Sequence, residues 1–136
     1  MTELDHAGTM QYGGTDRPLL PAMLRGARCR CPACGEGRIF SRMLAVEAQC
    51  PACGEELRHQ RADDLPAYLN IFLTGHIVVA AMAGLVTFLE LSMWTQTFAT
   101  ASVAVISASL SMRPLKGAVV AAQWAMRMHG FGGDES

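Results

Sequence analysis

The apolar positions divide the chain at Pro66. From Ala67 to Met112 there is one acidic residue, Glu90, and no Lys or Arg. Ala67 to Leu89 is a predominantly apolar run of 23 residues. At about 1.5 Å per residue it reaches roughly 34 Å as a helix, enough for the hydrocarbon core of a bilayer. Glu90 to Trp94 is a short connection, and Thr95 to Met112 is a second apolar run, with Trp94 where an interfacial aromatic would sit. So short a connection forces an antiparallel hairpin. The pattern predicts transmembrane helices over 67–89 and 95–112, within a segment 63–112. Small residues mark a face of each: Ala80 and Gly84 on the first, Thr100, Ala104 and Ala108 on the second. In lipid, close approach and interhelical hydrogen bonds hold helices together, so these faces are expected to pack the hairpin or meet a partner. Thr97, Ser102, Ser107, Ser109 and Ser111 can bond carbonyls one turn back and need not mark a pore.

Two weaker patterns flank the hairpin. Leu19, Leu20, Met23 and Leu24 share a face of a short helix opening at Pro18 or Pro21, which closes a flexible tail over 1–24. Residues 1–20 lack the basic start and apolar stretch of a secretory signal. Arg25, Arg28 and Arg30 form either a solvated collar or a strip for anionic headgroups. Beyond Met112, Pro114 predicts a stop or kink at Arg113. Lys116, Gln123 and Arg127 then fall within about 40° of one another, and the rest is apolar. This predicts a separate amphipathic helix within 113–136, lying along the cytoplasmic interface with Trp124 among the headgroups. At roughly 21 Å, Leu115 to Met128 is too short for a third span.

Segment 25–62 carries the candidate chemistry. Cys31-Pro-Ala-Cys34-Gly35 recurs as Cys50-Pro-Ala-Cys53-Gly54. Each Cys-x-x-Cys turn aims two thiolates at one point, and the following Gly tolerates a left-handed backbone. Two such knuckles at this separation match the spacing of a tetrahedral Cys₄ zinc site. Ile39, Phe40, Leu44 and Val46 fit two short strands, so the segment reads as a zinc ribbon, two knuckles plus a β-hairpin, with one structural zinc. Phe40 and Leu44 are its expected core. The same spacing suits rubredoxin-like iron, which remains the alternative metal. Cys29 lies two residues before Cys31 and is expected to point away from the metal.

Charge sets the orientation. Eight of the 11 Lys and Arg precede the hairpin, three follow it, and the connection has none. The positive-inside rule places both ends in the cytoplasm. The net charge of −1 gives no argument for nucleic acid. Asp63 or Asp64 suits the N-cap of the first span, before Pro66, where the macrodipole favours negative charge. His76 is the one side chain within a span that ordinarily titrates near neutral pH, so it should be neutral and paired locally or with a partner.

Arg30-Cys-Pro-Ala-Cys-Gly-Glu-Gly-Arg-Ile-Phe40, Cys50-Pro-Ala-Cys-Gly54, Ala62-Asp-Asp-Leu-Pro-Ala-Tyr68, Thr74-Gly-His-Ile-Val-Val79 and Arg113-Pro-Leu-Lys-Gly117 together resemble the bacterial DUF983 family. The resemblance covers roughly 25–127, and Cys29 departs from the family pattern. Genes of this family commonly neighbour those for cytochrome c oxidase subunit III and an assembly factor of that oxidase. The resemblance therefore implies an inner-membrane protein linked to a haem–copper oxidase, its partners being lipids and oxidase subunits or assembly factors. Three functions follow. The first is a non-enzymatic accessory or assembly protein, with Asp63, Asp64, His76, Ala80, Gly84 and Trp124 as candidate contacts to partner or membrane. The second is a metal- or electron-handling protein with a rubredoxin-like Cys₄ site. The third, an enzyme using Asp63, Asp64 and His76, lacks a nucleophile and a chain large enough to enclose a substrate.

Overall fold

The computed structural model describes residues 3–4, 10–11, 17–61 and 64–131. Strands β1 (Glu3–Leu4) and β2 (Met10–Gln11) pair antiparallel, Glu3 opposite Gln11, within the tail expected to be flexible. Helices α1 (Leu19–Ala27), α2 (Leu65–Phe88) and α3 (Met93–Ala125) follow, then a 3₁₀ turn over Met128–Gly130. The chain forms two compact units, one of Met1–Asp63 with Arg113–Ser136, the other of Asp64–Met112.

The second unit is the hairpin of α2 with the start of α3. Both helices are long and apolar enough to cross a membrane, and none of the most apolar window of α2 is buried. The two small residues expected to pack α2 differ in their surroundings. Ala80 is exposed, and a Cβ added to Gly84 would meet nothing within 4 Å. The half-buried positions of α2 include Asn70, Thr74, Val78, Ala81 and Gly84. Polar bonding selects this face. Asn70 Nδ2 donates to Ala108 O at 3.1 Å, and Ser111 Oγ donates to Asn70 Oδ1. An unpaired amide in hydrocarbon costs more than imperfect small-residue packing, so Asn70 turns inward. On α3, Thr100, Ala104 and Ala108 are half-buried. Thr97, Ser102 and Ser109 bond carbonyls four residues back, and Ser107 bonds the carbonyl of Ala104.

Two expectations about the end of the chain are also corrected. Pro114 lies inside α3 and does not end it, so among the described residues no separate interfacial helix follows Met112. Trp124 is not at the headgroups: it is 1% exposed in the core of the first unit. One cause accounts for both. Gly117, Val119, Val120, Ala121, Gln123 and Trp124 are all buried in that unit. A proline inside a helix costs about 3 kcal/mol. Burying a large apolar side chain contributes roughly 1.5–3 kcal/mol. Val119, Val120 and Trp124 together outweigh the proline, so the helix continues.

Two of the three residues of the polar stripe, Lys116 and Gln123, face protein, whereas Arg127 lies beyond the end of α3 and is exposed. Lys116 Nζ donates to Leu44 O at 2.8 Å. Gln123 accepts from the Arg61 N–H at 2.9 Å and donates to Arg61 O at 3.1 Å. Trp124 Nε1 donates to Glu55 Oε1 at 2.9 Å, and the Arg17 guanidinium lies 4.5 Å from the indole centroid. Arg17 also donates to Trp124 O and Phe131 O, tying the start of the chain to its end.

Helices α1 and α3 approach closely where Leu24-Arg-Gly-Ala27 and Leu115-Lys-Gly-Ala118 carry their glycines. A Cβ on Gly26 would overlap the Gly117 carbonyl oxygen, and one on Gly117 would overlap the Gly26 carbonyl oxygen. Glycine inside a helix costs roughly 0.5–1 kcal/mol relative to alanine, and this backbone contact is what it makes room for. Gly117→Val should therefore destabilise the first unit by at least the 1–3 kcal/mol of ordinary overpacking, about the upper end of that range. Gly84→Val should be neutral in the same assay. Thermal unfolding of the purified protein in detergent distinguishes them, and equal behaviour of the two variants would refute the crossing.

Candidate metal centre

Each knuckle is a hydrogen-bonded turn that the sequence dictates locally. Gly35 N–H donates to Cys31 O at 2.8 Å, and Gly54 N–H donates to Cys50 O at 2.9 Å. Both glycines have positive φ, 74° and 77°, as the motif requires. The Cys31 amide bonds Gly37 O at 2.7 Å and the Cys50 amide bonds Glu55 O at 2.8 Å, closing the two turns in parallel fashion. The amides of Glu36 and Gly37 point at Cys34 Sγ, at 3.4 and 3.5 Å. Backbone N–H groups facing a sulfur favour its thiolate form.

The segment between the knuckles is less regular than two strands. Isolated bridges pair Arg30 with Arg38, Phe40 with Val46 and Gln49 with Glu56, without a continuous strand among the described residues of this segment. Ile39 and Phe40 are adjacent and both buried, at 0% and 3% exposure. A pleated strand would turn one of them outward. They pack with Val119 and Val120 of α3, and Cys29 and Val46 lie against this cluster. Leu44 is half-buried, contributing its carbonyl to Lys116. The residue that packs with the cysteines is Leu57, fully buried.

The four cysteines converge. Cys31, Cys34, Cys50 and Cys53 bring their sulfurs within 4.8 Å of one another. Cys31 and Cys53 are separated by 3.8 Å, Cys34 and Cys50 by 3.7 Å. A tetrahedral ion with metal–sulfur bonds of about 2.3 Å has sulfur–sulfur edges of roughly 3.8 Å. Distance, donor type and burial therefore fit a metal ion held by four thiolates. A Cβ on Gly37 would overlap Cys50 Sγ, so glycine is needed for that sulfur to reach its place. Three of the four are buried and Cys53 is exposed. Cys53 opens onto a polar depression lined by Glu55, Glu56, His59 and Phe131. There His59 Nε2 lies 3.0 Å from Glu56 Oε2, and this bond holds the Glu56 carboxyl below its usual range.

Arg25 braces the first knuckle by donating to Pro32 O and Ala33 O, both at 3.2 Å, and Arg30 donates to Glu36 O. Arg25 is thus more than a solvated charge, while Arg30 is exposed.

The remaining candidates do not join the cluster. Asp64 stands at the N-cap of α2 with φ −94° and ψ −38°, and its side chain makes no capping bond, because that bond needs the extended backbone. Asp63 lies outside the described residues. His76 is exposed on α2, its Nδ1 2.8 Å from Phe72 O. A carbonyl only accepts, so Nδ1 carries the proton. The sequence reading missed Arg17, Glu55, Leu57 and Gln123 as organising residues. The interior glycines Gly26 and Gly117 were the available signal, since glycine within a helical pattern asks for a packing reason.

Metal binding requires thiolates, so protons compete with it. Burial pushes the Cys31 thiol far up and the Cys53 thiol up to about 11. Burial also raises Cys50, but the N–H groups of Cys53 and Ala52 and neighbouring thiols outweigh it, bringing Cys50 to about 7. Protons thus compete hardest at Cys31 and Cys53, and metal retention strengthens with rising pH and fails on acidification. Metal release to a chromogenic chelator should increase as pH is lowered; a flat profile would contradict the site. Cys50→Ser should lose the metal and unfold the first unit, since metal binding contributes on the order of 10 kcal/mol to a small structural site. Metal analysis and limited proteolysis check both losses.

A family model described as a protein of unknown function (DUF983) matches residues 40–124, from the middle of the ribbon through both apolar helices to Trp124. No curated protein and no solved structure matches the chain. With well over half its length within that model, the chain belongs to the DUF983 family.

Proposed function

We propose that this is a non-enzymatic integral membrane protein whose zinc-stapled module serves as a recognition element for a membrane partner. The observation that carries the reading is the four-cysteine cluster in the same chain as two helices long and apolar enough to cross a membrane. The cluster's chemistry supports a structural role. Three ligands are buried, and Cys50 Sγ occupies the space that a side chain at position 37 would take. Closed tetrahedral sites of this kind staple small folds rather than open a position to substrate. Asp64 and His76 lie in one helix, about 18 Å apart along its axis, so they do not form an acid–base pair.

The partner class rests on the family's gene neighbourhood, which points to assembly or accompaniment of a haem–copper oxidase in the bacterial inner membrane. A tagged full-length protein should co-purify with oxidase subunits or assembly factors from detergent-solubilised native membranes, and Cys50→Ser should lose them. Recovery of the wild type alone would end the oxidase assignment. A second reading, rubredoxin-like iron for electron transfer, is favoured by the exposure of Cys53, through which an electron could pass. An iron-loaded protein would be red and a zinc-loaded one colourless.

Both termini are assigned to the cytoplasm because every Lys and Arg lies outside 67–112. A reporter enzyme active only outside the cytoplasm should work when fused after Ser92 and fail after Ser136. The opposite pattern would invert the topology.

A further inference from the structure

We propose that the tip Ser41–Ala45, with the first turn of α3 beyond Met112, is a binding surface for anionic phospholipid headgroups. The inference rests on the membrane reading above. The tip is a preformed turn: Ser41 N–H and Ser41 Oγ both donate to Ala45 O, at 2.9 and 3.2 Å. Its two feet are pinned to α3 by cations. The Arg113 guanidinium carbon lies 5.5 Å from the centroid of the Phe40 ring, and Lys116 Nζ donates to Leu44 O at 2.8 Å. Arg42 stands exposed between them, and Met43 beside it is 78% exposed. Neither 41–45 nor 113–116 contains an acidic residue. Glu47, just beyond the tip, lies 3.5 Å from Arg38 in an ion pair.

Three cations around one exposed, unbranched apolar side chain complement a lipid–water boundary. Guanidinium groups match phosphate oxygens in paired geometry, and lysine adds a compact charge. The thioether chain can enter among the glycerol and upper acyl groups while the charges stay in the headgroup layer. Arg113 follows directly on the apolar run of α3, so chain continuity brings this surface to headgroup depth. The polar depression beside Cys53 carries acidic side chains and suits a lipid surface poorly.

The test uses the full chain with Met43→Trp in a Trp94→Phe background, reconstituted into phosphatidylcholine vesicles with or without phosphatidylglycerol. Read against the Trp94→Phe parent, whose remaining Trp124 is buried, the introduced indole should add quenching by a headgroup nitroxide, and more strongly in the anionic vesicles. Arg42→Gln should weaken that anionic preference by about fivefold, the share of one basic residue near a charged surface. Equal quenching in both vesicles, no quenching in either, or indifference to Arg42→Gln would each overturn the proposal. A Phe98→Trp variant with acyl-chain nitroxides separates the two readings. Its quenching, with the residue-43 indole left in water, would refute this surface and leave the membrane reading intact. Absence of both signals would refute both.

Discussion

Four sulfurs within 4.8 Å of one another, three of them buried, are stable as thiolates only around a cation. That constraint governs the first unit. Two five-residue turns carry the ligands, each closed by a glycine N–H to the carbonyl of its first cysteine and each released by a left-handed glycine. The chain between them is joined by single bridges instead of long ladders. A metal held by these four sulfurs would replace the sheet as the source of order, as a module this small needs. Leu57 packs with the cysteines, and Ile39 and Phe40 turn together toward α3, so the ribbon has an apolar side to bury.

Helix α3 supplies what that side requires. Its stripe from Gly117 to Trp124 is buried, and its polar side chains are spent on backbone and carboxylate groups of the first unit. One helix therefore serves two solvents. The stretch before Arg113 is apolar and mostly exposed, as lipid-facing helices are, and the stretch after it is a protein core. Pro114 stands at the change between them, where a missing backbone hydrogen bond is tolerated because neighbouring packing holds the turn. The Gly26–Gly117 approach lets α1 lie against this helix with backbone touching backbone.

The hairpin unit has a polar organiser among its small residues. Asn70, Ala108 and Ser111 form a hydrogen-bonded knot between α2 and α3. One turn on, Thr74 Oγ1 is buried without a partner. The His76 face lies open, with its imidazole proton committed to the Phe72 carbonyl. Ala80 is exposed, while Gly84 lies half-buried on the stripe that carries Asn70, Thr74, Val78 and Ala81.

Sequence alone determined whatever depends on local spacing. The two Cys-x-x-Cys-Gly turns, the apolar runs flanking Glu90–Trp94 and the i−4 bonding of most of the serines and threonines are set within a few residues of one another, so their chemistry is visible in order along the chain. Tertiary structure decided what two distant segments negotiate. Lys116, Gln123 and Arg127 make one stripe by periodicity, but periodicity cannot say whether water or a carbonyl waits opposite; Leu44 O and the Arg61 backbone gave the answer for the first two. Pro114 is a local stop signal, overruled by burial of Val119, Val120 and Trp124 that no local window contains. Trp124 matches an interfacial belt in composition, yet a carboxylate 69 residues earlier satisfies its N–H and draws it into the core.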